Sequence, residues 1–155
     1  GRTAGDIARV RVATYQAALA VANNRDPATA AQAQFSLAYV VAHALAHGSV
    51  RLDAFSPERL ADPALRALME RIDVSLDAEL DAAFPGRRAA RVEIEWKDGG
   101  RDSFLQPTRK GDPDAPLSDA DLEAKFHELA DPVIGRERAG VLVGKLWRLE
   151  TGGLP

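Results

Sequence analysis

Hydrophobic positions along residues 26–48, DPATAAQAQFSLAYVVAHALAHG, recur with a helical period and leave one narrow polar line. Asp26 suits a helix N-cap, Pro27 the first helical position, and Gly48 the left-handed residue just past a C-terminus. The 21 residues between Asp26 and Gly48 hold no further Gly or Pro. The pattern therefore predicts one helix of roughly 31 Å at 1.5 Å per residue. Stepping 100° per residue from Phe35 puts Gln32, Ser36, Tyr39, His43 and His47 within an arc of roughly 80°. Leu37, Val40, Val41, Leu45 and most of the alanines fill the rest, broken only by Gln34. Such a helix is expected to be buried over most of its circumference, with its polar stripe turned to water, a partner or a ligand.

Residues 7–14, IARVRVAT, alternate with period two. Ala8, Val10, Val12 and Thr14 would share one face and Arg9 and Arg11 the other, as in a half-buried strand. Tyr15–Ala22 fits either a short helix or more strand, and Asn23-Asn24-Arg25 reads as a turn. After Gly48 the stretch Val50–Phe55 reads as extended. Ser56-Pro57 and Asp62-Pro63 then repeat the cap-plus-proline signature. Leu65, Leu68, Met69 and Ile72 recur at helical spacing and predict a helix over 63–72, with Met69 as core filler. Val74, Leu76, Ala78 and Leu80 alternate with Asp73, Ser75, Asp77 and Glu79, which predicts a strand with an acidic solvent face.

The clearest hairpin lies at 90–108. Ala90, Val92, Ile94 and Trp96 oppose Arg91, Glu93, Glu95 and Lys97, and Asp98-Gly99 suits the turn. A loop, RKGDPDAPL, covers 109–117. Ser118 and Asp121 then form a capping box, and Leu117 and Leu122 are placed for a hydrophobic staple. Leu122, Phe126 and Leu129 make the following stripe, which Pro132 and Gly135 are expected to interrupt. A last helix over about 137–149 carries Leu142, Val143, Leu146 and Trp147, and residues 151–155 are expected to be a disordered tail. The elements add up to an α+β fold: a two-layer unit with a mainly antiparallel sheet of about four strands, helices on one face, and a C-terminal helical pair.

Composition narrows the chemistry. The chain has 155 residues, 46% of them hydrophobic, and a net charge of −3. That supports a proper core and gives no basic footprint for nucleic acid. There is no Cys, which removes thiol catalysis, disulfides and Cys-ligated metal and fits a reducing, cytoplasmic setting. No apolar run approaches the ~20 residues of a membrane span. His43 and His47 stand four apart, as on zinc helices, but no Glu follows His43 and no third ligand is apparent, so no metal site is expected. His127, beside Phe126, reads as a surface residue. Arg109, Lys110 and Gly111 either present cations and free backbone to an anion or form a solvated connector. No nucleophile elbow, P-loop or GxGxxG is present. Read from its residues alone, the chain is a scaffold with one polar groove rather than a complete enzyme.

Four stretches in register resemble the MmgE/PrpD family, which includes 2-methylcitrate dehydratases, cis-aconitate decarboxylases and an iminodisuccinate epimerase. They are Asp6-Ile7-Ala8-Arg9-Val10-Arg11-Val12, then Ala33–Leu45 (AQFSLAYVVAHAL), then Trp96-Lys97-Asp98-Gly99, and finally Lys110-Gly111-Asp112-Pro113 with Pro116-Leu117-Ser118 and Lys125-Phe126. The resemblance implies a smaller α+β lid at about 1–117 and helices at 118–150 that return to a large helical domain, with a Lys- and His-bearing motif upstream of Asp6. It implies a polycarboxylate substrate and no cofactor. Tyr39 would be the catalytic lid tyrosine and donate a proton or hydrogen bond. Ser36 and His43 would be its neighbours at the substrate, and Arg109 and Lys110 would meet carboxylates.

Two readings follow. One is the C-terminal part of a lyase, inactive alone, with dehydration, decarboxylation and epimerisation all open. The other is a stand-alone α+β binding module. On the first, the apolar faces of 118–150 lack their native cover, which predicts homodimerisation through Phe126, Leu142, Leu146 and Trp147.

Overall fold

The computed structural model describes residues 1–149, so the tail expected at 151–155 lies outside the described residues. The chain forms two compact units that divide after Arg109. The first carries β1 (Ile7–Thr14), α1 (Gln16–Ala22), α2 (Ala30–Gln34), α3 (Leu37–His47), α4 (Pro57–Leu60), α5 (Pro63–Met69), β2 (Ile72–Leu76), α6 (Ala78–Ala82), β3 (Ala90–Trp96) and β4 (Arg101–Gln106). The second carries α7 (Asp119–Ile134) and α8 (Arg136–Leu146). No helix among the described residues is long and apolar enough to cross a membrane.

The four strands stand in the order β2-β1-β3-β4. β1 runs parallel to β2, with Val10 opposite Ile72, whereas β1–β3 and β3–β4 are antiparallel. The α+β class with a mostly antiparallel sheet is therefore correct. One face of the sheet is apolar. Ile7, Val10, Val12 and Ile72 pack with Ala38, Tyr39 and Ala42 of α3 and with Leu65, Leu68 and Met69 of α5. The other face is an ion-pair lattice, because alternate residues point the opposite way. Arg9 meets Asp73 at 2.6 Å, Arg11 lies 3.8 Å from both Glu93 and Glu95, and Arg101 lies 3.2 Å from Glu95.

The alternation along β1 slips once. The register shifts between Ile7 and Arg9, so Ile7 joins the core and Ala8 is exposed. A bulge of this kind places two residues against one and turns the strand by half a period. Tyr15–Ala22 resolves as helix after Tyr15.

Two expected elements are divided. The predicted helix over 26–48 is two helices, α2 and α3, broken at Phe35-Ser36. Thr29, not Asp26, caps α2, and Ser36 caps α3 with its backbone extended at φ −129°, ψ 100°. Asn24 N–H bonds the Phe35 carbonyl at 3.3 Å, so the break ties this segment to the 23–24 turn. Similarly, the strand predicted over 74–81 ends at Leu76. Asp77 accepts the N–H groups of Glu79 (3.0 Å) and Leu80 (3.2 Å) and opens α6. Ile72 belongs to β2 rather than to the preceding helix, which ends at Met69.

In the second unit, Ser118 and Asp121 form the expected capping box, with Asp121 N–H on the Ser118 hydroxyl at 3.2 Å. α7 runs through Pro132 to Ile134 and stops at Gly135 (φ 81°), where α8 begins. Pro132 falls in the last turn of α7, where it removes one N–H from the helix two residues before its end at Ile134. His127 is half-buried and holds Asp131 at 2.8 Å.

Candidate functional site

The polar stripe runs along α3 and its cap, but its middle is buried. Ser36, Tyr39 and His43 are each 1% exposed or less, while Gln32 and His47 at its ends are exposed. Phe35, just before the Ser36 cap, is 55% exposed. The reason lies beyond Gly48. That residue takes φ 79°, the left-handed conformation that turns the chain back after a helix. The following strap, residues 49–60, then lies over the stripe rather than leaving it open.

Two side chains of the stripe are tied to this strap. The Tyr39 hydroxyl donates to the carbonyl of Ala54, within a short helical turn at Leu52–Phe55. His43 Nδ1 lies 2.8 Å from the Ser49 carbonyl. A carbonyl only accepts, so Nδ1 carries a proton and donates it. Nε2 is buried and has no partner. The Tyr39 ring lies 6.2 Å from Phe55 and 6.3 Å from His43, and the rings of His43 and His47 lie 4.5 Å apart with their planes tilted by 48°.

Burial pushes the Tyr39 phenol above its usual 10; Asp62 and Asp53 act in the same direction, and Arg66 and Arg59 against it. Tyr39 is therefore protonated at neutral pH and equipped to give a proton or hydrogen bond, not to remove one. Phe55 also lines a groove of about 540 Å³ with Ala28, Thr29, Pro57, Leu60 and Arg66. Arg66 clamps its two sides: Nε donates to the Leu60 carbonyl (2.9 Å), Nη1 to Asp26 (3.0 Å) and Nη2 to the Pro27 carbonyl (2.5 Å).

A family model, the MmgE/PrpD C-terminal domain, matches residues 1–149. The chain belongs to the MmgE/PrpD family. Over 126 residues it is 32% identical to the cis-aconitate decarboxylase-like protein oryM of Aspergillus oryzae, covering 81% of this chain and 26% of that protein. Over 104 residues it is 30% identical to the mitochondrial 2-methylcitrate dehydratase of Yarrowia lipolytica, covering 64% of this chain and 20% of that one. The chain thus spans about a quarter or less of the length of these curated relatives.

Within this MmgE/PrpD domain, Tyr39 and His43 lie one turn apart on α3, and Ser36 stands at the N-cap of that helix. Ser36 accepts the Tyr39 N–H at 3.2 Å and so sets where α3 starts. The two cations stand apart from that cluster in sequence and in role. Arg109 is exposed and ends the first unit. Lys110 opens the second, where its ammonium pairs with Asp121 at 2.6 Å. Hydrogen bonds from Lys110 and Ser118 hold the Asp121 carboxyl down at about 2. The pairing makes Lys110 a clamp on the capping box of α7.

Sequence reasoning missed the strap. Its functional groups are main-chain carbonyls, at Ser49 and Ala54, and a carbonyl carries no residue signature. The only legible hint was the Gly48 turn followed at once by a second cap at Ser56. Among the described residues no three His, Cys, Asp or Glu side chains converge as metal ligands.

Proposed function

We propose that this chain is the lid portion, about 1–117 with returning helices at 118–150, of a lyase that dehydrates a 2-methylcitrate-like hydroxy polycarboxylate without a metal. A base from outside this chain removes the proton next to a carboxylate, the carbon–carbon double bond forms, and the hydroxyl leaves as water after taking a proton. Tyr39 gives that proton or a hydrogen bond to the leaving oxygen. Ser36 and His43 line the substrate side, and Arg109 and Lys110 meet carboxylates, Lys110 only on release from Asp121. The observation that supports the reading is the buried Tyr39 phenol, one helical turn from the buried His43, in a chain that matches the family's C-terminal domain over residues 1–149. The same residues could serve an epimerase or a decarboxylase, and the relative from Aspergillus oryzae is named as cis-aconitate decarboxylase-like.

The reading makes the isolated 155-residue chain inactive and a homodimer through Phe126, Leu142, Leu146 and Trp147. The test is turnover of 2-methylcitrate, followed by the ultraviolet absorbance of the conjugated product, in the full-length protein carrying this segment. Tyr39→Phe should lower kcat by about 10²–10⁴-fold, the usual contribution of one general acid. Unchanged kcat removes Tyr39 from the chemistry, and turnover by the isolated chain refutes the lid assignment. One observation favours the alternative of an α+β binding module without catalysis: the Tyr39 hydroxyl and the His43 Nδ1 proton are both already satisfied within the fold.

A further inference from the structure

We infer that Arg66 is a carboxylate receptor: the groove it lines takes a small carboxylate with a hydrocarbon body, the carboxylate replacing Asp26 on the guanidinium and the hydrocarbon lying against Phe55, Pro57 and Leu60. The groove has about 540 Å³, within the range of small-molecule sites. Among the described residues Arg66 is the only charged side chain that lines it. A lone guanidinium beside an apolar wall is complementary to a local negative charge joined to hydrocarbon. A neutral apolar ligand would leave the cation unanswered, and a bare inorganic anion would leave the wall unused.

The bonds of Arg66 are of two kinds. Two go to main-chain carbonyls, of Leu60 at 2.9 Å and of the buried Pro27 at 2.5 Å. They fix the guanidinium from both sides of the groove, so little further ordering is needed when a ligand arrives. The third goes to Asp26 at 3.0 Å, whose side chain is 98% exposed. An ion pair with so exposed a partner is weak. A ligand carboxylate can therefore take the place of Asp26 without disturbing either carbonyl bond. A guanidinium has five N–H groups, and among the described residues these bonds use three. The groove also adjoins the buried phenol. Phe55, on its wall, has its ring 6.2 Å from that of Tyr39, and of the charged groups that act on the Tyr39 phenol Arg66 acts most.

On the lid reading this ligand is the polycarboxylate substrate; that identity rests on the reading, whereas the receptor itself does not. The test titrates the nitrogen-15-labelled 155-residue chain with glutarate, a dicarboxylate, and with sulfate, a dianion of equal charge, both at neutral pH. Glutarate should shift the Arg66 Nε–H signal and the amide signals of 28–30 and 55–61, and sulfate should bind more weakly. Asp26→Asn removes the competing carboxylate and should tighten glutarate about threefold, the scale of one exposed ion pair. Glu79→Gln removes an equal charge from an exposed side chain of α6 and should leave the affinity unchanged. Arg66→Gln should abolish the shifts. If it does not fold, the contrast between Asp26→Asn and Glu79→Gln alone decides. No shifts at the groove, sulfate as tight as glutarate, or equal effects of the two acid variants overturns the receptor. Unchanged kcat of Tyr39→Phe in the full-length protein, with the glutarate results intact, would sink the catalytic reading and leave the receptor standing. A kcat lowered by Tyr39→Phe with no shifts at Arg66 would do the reverse.

Discussion

The hydroxyl of Ser36 accepts the main-chain N–H of Tyr39 at 3.2 Å, and both side chains are buried. Ser36 thus starts the helix that carries Tyr39, immediately after α2 has ended. Replacing it by Ala removes the only side-chain acceptor for that N–H. Ser36→Ala is expected to destabilise the chain by about 0.5–2 kcal/mol in chemical denaturation, the usual cost of a lost N-cap. Ser36→Thr should recover much of it. An unchanged midpoint in Ser36→Ala would mean that the α2–α3 break is held by backbone pairing alone.

Tyr39→Phe keeps the ring in the core and leaves the Ala54 carbonyl without its donor. A buried acceptor stripped of its partner costs about 1–3 kcal/mol, and that loss should appear in equilibrium unfolding of the isolated chain. Tyr39→Ala also opens a cavity between α3 and the sheet, and about 3–5 kcal/mol is expected by analogy with other large aromatic truncations. A Tyr39→Phe variant as stable as the parent would show that Ala54 finds water as a substitute.

Much of this architecture was legible because it depends on side-chain period. The β3–β4 hairpin, the caps at Ser56, Asp62 and Ser118, and the apolar residues of α5 all lie where alternation and capping chemistry put them. The two divided elements share one cause, which is short polar residues competing for backbone. Ser36 and Asp77 each look tolerable inside a longer element, yet each bonds main-chain N–H groups and starts a new helix. At the candidate site, the helical wheel put Tyr39 and His43 on one face of α3, whereas Ser36 sits at its extended N-cap and not inside a continuous helix. Their burial was not legible, since it comes from the strap bonding through carbonyls, and the wheel treats polar side chains as solvent-facing.

Asp121 supplies a pH prediction in the second unit. Its carboxyl lies at about 2 in the folded chain against an ordinary 3.8, with the Lys110 hydrogen bond the leading cause, followed by Ser118. A folded value below the unfolded one means that the contribution to stability is complete above about 3.8 and is lost as pH falls toward about 2. Carboxyl carbon NMR should follow this titration directly. Lys110→Met should move the midpoint upward while the capping box keeps it below 3.8. A midpoint unmoved by Lys110→Met would assign the whole effect to Ser118.

The helices of the second unit leave apolar surface uncovered, and on the proposed reading that surface would pair two copies of the chain. Leu142, Leu146 and Trp147 are 40%, 43% and 49% exposed. Leu142 and Leu146 stand four apart on one side of α8, and Trp147 follows at its C-cap. The Trp147 indole N–H is held by Glu123 of α7 at 2.8 Å, which fixes the ring rather than leaving it to swing. Sedimentation equilibrium of the 155-residue chain is expected to show a dimer. Leu142→Glu and Leu146→Glu should each weaken it by about 1.5 kcal/mol or more, roughly tenfold, since each removes a leucine from a buried contact and offers a charge in its place. Both substitutions should leave the thermal unfolding of the first unit unchanged, because neither residue belongs to it. A chain that stays monomeric at every concentration would remove the homodimer from the proposal.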